Sequence, residues 1–171
     1  MYRTKDGRRI IIRRATRRDV GSAVKLWQAL ADEREYIATE HVSLEQRWRW
    51  TRSIHDPHVL WAVARVGDKL AGTLTLSPYY GDLKKTRHVR NLGMGVAKEF
   101  RNNKVGTALM DYALRWAGNK HARKIVLSVF STNRKAIRLY EKFGFANEGV
   151  RRKAFLIDGK YVDEIMMGRF V

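Results

Sequence analysis

A chain of 171 residues with 44% hydrophobic content is long enough to bury one sizeable core and short for two, so one globular domain spanning residues 1–171 is expected. It has no cysteine, which excludes disulfides, thiolate metal sites and a cysteine nucleophile. Thirty-five Lys and Arg against 17 Asp and Glu give a formal charge of +18, which predicts attraction to polyanions: a phosphate-rich cofactor, or weak non-specific contact with nucleic acid or ribosomes.

The opening segment MYRTKDGRRI has no apolar signal core and no run approaches membrane-spanning length, so a cytoplasmic protein without membrane contact is expected. Arg9 to Ala15 reads as a first strand, and Thr16 or Asp19 is placed to cap a helix with Val20, Val24, Trp27, Leu30 and Ala31 on one face. After a break, Ser43 followed by Gln46 three residues later is the capping-box signature of a second helix. This region gathers Asp32, Glu33, Glu35, Glu40 and Glu45 in an otherwise basic chain. They read either as a solvated helix end with local ion pairs or as an acceptor-side wall that attracts an amine.

Leu60 to Val66 and Lys69 to Leu76 read as antiparallel strands joined by a Gly67-Asp68 turn. The turn-rich link from Pro78 to Lys85 is placed to fold over a site, and His88 to Val96 forms the next strand. A polar turn (Lys98 to Lys104) then opens a helix on which Val105, Leu109, Tyr112, Ala113 and Trp116 recur at helical spacing. Helix-start amides and the dipole's positive end favour an anion, and Arg101 and Lys104 add full charges, so the turn reads as a phosphate cradle. Lys124 to Val129 reads as a buried strand, and Asn133 to Phe143 as a helix ended by Gly144. Segments 147–156 and 160–170 flank Asp158-Gly159 as a closing hairpin. Strands alternating with helices give an α/β (α+β) fold with helices packed on a mixed sheet.

Two segments sharpen this. Arg101-Asn102-Asn103-Lys104-Val105-Gly106-Thr107-Ala108 resembles the Arg/Gln-x-x-Gly-x-Gly/Ala segment of the GCN5-related N-acetyltransferases, and Asn133 to Phe145 resembles that family's Asn-x-x-Ala-x-x-Leu-Tyr-x-x-x-Gly-Phe helix. The resemblance covers nearly the whole chain from Arg9. It implies a mostly antiparallel central sheet of six to seven strands flanked by about four helices, no metal, and direct transfer of acetyl from acetyl-CoA, in a ternary complex, to a primary amine of a small molecule, amino acid, peptide or protein N-terminus. It also admits a homodimer. Residues 101–107, Arg101, Asn102, Asn103, Lys104, Val105, Gly106 and Thr107, would hold the pyrophosphate, with Lys104 standing where the family has its first glycine. Met94, Gly95 and Val96 would pair with the pantetheine arm, Gly95 through a strand bulge or simply through close packing. Asn133 would meet the same arm, besides its ordinary use as a helix cap.

Tyr140 matches the family's helix tyrosine, which implies a general acid for the departing sulfur; its spacing from Ala136 and Phe143 suits core packing as well. Asn91 occupies the place of a glutamate that takes the amine proton in many relatives. Asparagine cannot act as that base, which leaves ordered water, Glu33, Glu35 or His88. The alternative from another class is a basic nucleic-acid, ribosome or CoA-sensing module without efficient turnover, to which Trp48 and Trp50 would add stacking surface unless they pack the second helix.

Overall fold

The computed structural model describes residues 1–81, 83–119 and 122–171; Asp82, within the 78–85 link, lies outside the described residues. Eight strands and four α-helices follow one another as β1 (Tyr2–Arg3), β2 (Arg9–Arg14), α1 (Val20–Asp32), α2 (Leu44–Ser53), β3 (Leu60–Val66), β4 (Lys69–Pro78), β5 (Val89–Val96), α3 (Val105–Gly118), β6 (Lys124–Phe130), α4 (Arg134–Lys142), β7 (Ala146–Ile157) and β8 (Lys160–Phe170). The strand beyond the seven foreseen is β1, two residues that pair Tyr2 with Ile10 and Arg3 with Arg9. Among the described residues no helix is long and apolar enough to cross a membrane.

One sheet runs β1-β2-β3-β4-β5-β6-β8-β7. Its neighbours are antiparallel except β5 and β6, which lie parallel across the α3 crossover. β3 shows why the strands read as apolar runs rather than alternations: Leu60, Ala62, Ala64 and Val66 face one cluster while Trp61 and Val63 face another. Helices therefore cover both faces. α3 and α4 supply Val105, Leu109, Met110, Ala113, Ile137 and Tyr140 to the larger cluster, and Ala23 of α1 joins Trp61 and Val63 in the smaller, with Trp50 of α2 packed against it. The capping box of α2 is present in both directions: Gln46 N donates to Ser43 Oγ at 3.1 Å and Ser43 N to Gln46 Oε1 at 2.9 Å. Gly144 ends α4 at φ 78°, the left-handed angle expected after a helix.

Asp19 stands at the N-cap of α1, one of the two positions foreseen, but its side chain makes no bond into that helix. It is buried among Arg13, Arg65 and Thr16, and its carboxylate accepts from both Arg13 Nη atoms at 2.7 and 2.9 Å and from Thr16 N and Oγ1 at 2.8 and 2.9 Å. A carboxylate so satisfied closes the 3-10 turn ahead of α1 and fixes α1 to β2.

The feature that positions the site is a split. β5 pairs with β6 only at Val89, Arg90 and Asn91. From Leu92 to Val96, β5 is paired in the sheet only with β4, and from Leu127 to Phe130, β6 is paired only with β8. Two half-sheets thus share a base, and the backbone edges beyond Asn91 are free of each other.

Candidate active site

At the end of β5 the chain turns directly into α3. Asn102 and Lys104 both hold left-handed angles, φ 59° and 66°. This is where glycine sits most easily, so a lysine at 104 costs about 1 kcal/mol of backbone strain that glycine would avoid. The first hydrogen bond of the α3 ladder runs from Ala108 N to Lys104 O at 3.0 Å. The amides of Val105, Gly106 and Thr107 precede it and are the helix's orphan donors. Left-handed residues beside helix-start amides form a concavity lined by N–H groups. The first turn of α3 carries no acidic side chain, and a cation stands at its N-cap against the dipole. An anion seated there relieves both. Gly106 lets this turn lie close to its neighbours, since a Cβ would stand 3.0 Å from Leu139 Cδ2 and 3.8 Å from Met94 Cε.

Arg101 and Glu33 meet. Arg101 Nη1 and Nη2 donate to Glu33 Oε2 and Oε1, both at 2.7 Å, Nε donates to Val96 O at 3.2 Å, and the guanidinium lies 5.0 Å over the Tyr36 ring. Glu33 stands at the C-terminal end of α1, where the dipole disfavours a carboxylate, and the two-pronged bond with Arg101 offsets that. The pair straps α1 to the β5–α3 turn, so the Arg101 charge and the Glu33 carboxylate, foreseen as separate, face each other. Asn103 is also engaged, its Oδ1 accepting from Lys5 N at 2.7 Å. Glu35 lies beside the Tyr36 phenol and raises its pKa.

On β5, alternation puts Asn91, Gly93 and Gly95 on the α1/α2 face, opposite Ser77, Thr75 and Thr73 of β4. The β4–β5 register is unbroken, so the bulge proposed at Gly95 is absent. The glycine serves close packing instead: a Cβ there would meet Leu30 Cδ1 at 2.6 Å and the Trp27 indole at 3.5 Å. Asn91 is exposed at the last rung shared with Val126, at the vertex of the split. His88 lies at the other end of β5, on the side away from the gap, where its carbonyl accepts from Arg123 N and Lys124 N.

Tyr140 is buried in the larger core cluster, 5.9 Å from the Phe145 ring, and burial pushes its phenol up to about 12. It is therefore both a packing residue and a phenol held protonated across the neutral range. Asn133 caps α4, its Oδ1 accepting from Ala136 N at 3.2 Å, which leaves its NH2 group as a donor.

Sequence reasoning missed the other wall. Between α1, α2, β3 and β4 lies a cavity of about 200 Å³ lined by Trp27, Trp50 and Trp61 with Val42, Gln46 and Thr75. The indole pairs stand 6.2 Å (Trp27–Trp50) and 5.9 Å (Trp50–Trp61) apart, and Trp27 Nε1 donates to Thr73 Oγ1 at 3.1 Å. Among the described residues its lining carries no charged side chain, so the wall on this face is aromatic rather than acidic. Trp50 packs, whereas Trp48 on the same helix is exposed. Among the described residues there is no cluster of three His, Asp or Glu fit for a metal.

The sequence model of the acetyltransferase (GNAT) family matches residues 23–145. Escherichia coli (strain K12) L-amino acid N-acetyltransferase AaaT is 32% identical over 162 residues, covering 94% of this chain and 97% of that protein. Among solved structures, an acetyltransferase of the same family from Streptococcus pneumoniae superposes with a TM-score of 0.84 at 24% identity, over 95% of this chain and 99% of that one. The Salmonella typhimurium protein yncA, solved with its cofactor acetyl-CoA, superposes at 0.85 and 16% identity, over 94% and 93% of the two chains.

Proposed function

The chain belongs to the acetyltransferase (GNAT) family and is an acetyl-CoA-dependent N-acetyltransferase, and from that premise we propose that it acetylates the primary amine of a small molecule or amino acid in the gap between β5 and β6. The observation that carries this reading is the split itself, which leads along the free edge of β5 to the N–H-lined turn of α3. The E. coli relative named for L-amino acids supports an acceptor of that size.

The residues fit acetyl-CoA as follows. Amides of Val105, Gly106 and Thr107, with the Asn102–Lys104 turn and the Lys104 ammonium, hold the pyrophosphate. The edge of Met94, Gly95 and Val96 pairs with the amides of the pantetheine arm as a further strand would. The Asn133 NH2 group donates to the same arm. Arg101 acts through Glu33, keeping α1 against this turn. When bound, acetyl-CoA supplies an acetyl thioester activated toward amines.

At the vertex, Asn91 Oδ1 accepts a hydrogen bond from the acceptor amine and orients its lone pair. Because an amide takes no proton, the amine's proton leaves through water. The amine nitrogen bonds to the acetyl carbon, the carbon–sulfur bond breaks, and Tyr140 gives its proton to the sulfur. The proton released by the amine restores the phenol, so atoms and charge balance.

Lys104→Gly separates backbone from charge. Removing the left-handed strain is expected to stabilise the protein by about 1 kcal/mol, while loss of the ammonium weakens CoA binding by about tenfold and flattens its salt dependence. Thermal unfolding and calorimetry read the two effects. Unchanged CoA affinity would take the Lys104 side chain out of the phosphate site.

A further inference from the structure

We propose that the acceptor is a primary amine bearing an apolar, ring-sized side chain, and that this side chain is seated in the tryptophan-lined cavity between α1 and α2. The proposal rests on the amine-acetylation reading and names its substrate class. The cavity of about 200 Å³ exceeds the roughly 150 Å³ of an apolar cavity that takes up benzene, so a phenyl ring or a branched aliphatic chain fills it. Its lining suits such a group. Three indoles and Val42 supply apolar surface for the ring, Thr39, Gln46 and Thr75 line the rest, and the Trp27 N–H is already satisfied by Thr73. A lysine-like or polyamine chain finds no carboxylate in this lining, and Glu33 is held by Arg101.

The cavity also opens at the right place. Thr75 in its wall stands opposite Gly93 of β5, and a Cβ at Gly93 would meet only Thr75 Oγ1, at 3.1 Å, with no other atom within 4 Å. The space beyond Gly93 is therefore open. Asn91 lies two residues along the same strand face, about 7 Å away at the usual strand rise, at the vertex of the split. A ring in the cavity and an amine at Asn91 therefore share one face of β4 and β5, with open space at Gly93 between them. The transferred group and the proton path are those given above; the cavity adds only orientation and selectivity.

The test is competitive acetylation of phenylalanine, phenethylamine, leucine, glycine, ethylamine, lysine and putrescine, with tryptophan fluorescence as a second readout, since three of the five tryptophans line the cavity. Ring-bearing amines are expected to exceed glycine and ethylamine by about tenfold to a hundredfold in kcat/KM, and to shift the emission. Phenylalanine against phenethylamine shows whether an α-carboxylate contributes. Val42→Phe, which fills the cavity without removing a core indole, is expected to abolish the preference and the emission shift while CoA binding persists. Trp50→Ala enlarges the cavity and should move the preference toward larger rings. Equal rates for all amines, or a preference for lysine and putrescine, would overturn the inference and leave amine acetylation standing. If no amine were acetylated, an emission shift with phenethylamine that Val42→Phe removes would keep the cavity as a ring site and sink the transfer reading. Neither turnover nor a shift would sink both.

Discussion

Tyr140→Phe is expected to slow acetyl transfer by about 10²–10⁴-fold in kcat, with little change in CoA affinity, as loss of a general acid does. The ring packs 5.9 Å from Phe145, and phenylalanine keeps that packing. Only the hydroxyl group goes. Because burial pushes the phenol up to about 12, it stays protonated at every pH at which the protein would be assayed, so no falling limb below about pH 11 belongs to Tyr140. A folded value above the unfolded value near 10 means that burial of the neutral phenol favours the fold below pH 10, and that this contribution is lost as pH rises through 12. Wild-type kcat in the variant would assign Tyr140 to packing alone.

Asp19→Ala is expected to cost about 3 kcal/mol of stability, because it strands the Arg13 guanidinium and two donors of Thr16 in a half-buried turn. Desolvation by itself would raise this carboxyl; the Arg13 bonds, then those from Thr16, outweigh it and hold it at about 2. The shift from 3.8 corresponds to about 2 kcal/mol. With the folded value depressed, that stability is present above pH 4 and is lost as pH falls toward 2. Urea unfolding of wild type and variant at pH 7 and pH 2.5 checks this: the gap between them should narrow at the lower pH. A gap that stays constant would mean that the variant's loss comes from packing rather than from the ion pair. The consequence reaches the site, since Asp19 bonds to β2 and contacts Arg65 of β3 at the start of α1, whose other end is strapped by Glu33 to Arg101.

What was legible in the sequence is what local chemistry determines. The Gly67-Asp68 and Asp158-Gly159 turns, the Ser43–Gln46 capping box and the Gly144 helix end depend on a few neighbouring residues, and each stands where its signal lies. Lys104 stood out in the sequence as a lysine in a glycine position, and the fold gives it a left-handed φ of 66°. The remainder depends on partners far apart in the chain. Arg101 and Glu33 are separated by 68 positions, so their charges read as independent until the fold neutralises them. The aromatic wall takes one tryptophan from each of α1, α2 and β3, at spacings that within each element say only that a face is apolar. The strand split at Asn91 leaves no mark in β5 itself, because it is a property of register with β6. A two-residue strand such as β1 has no period to detect.

Calorimetric titration of the wild-type protein with CoA, alongside pantetheine, tests the central claim most directly. If the gap and the α3 turn hold acetyl-CoA as described, CoA binds at one site per chain, with an affinity that falls as salt rises, and pantetheine without the pyrophosphate binds at least about a hundredfold more weakly. Equal affinities for the two, or no heat with CoA, would contradict the phosphate cradle and with it the site assigned to acetyl transfer.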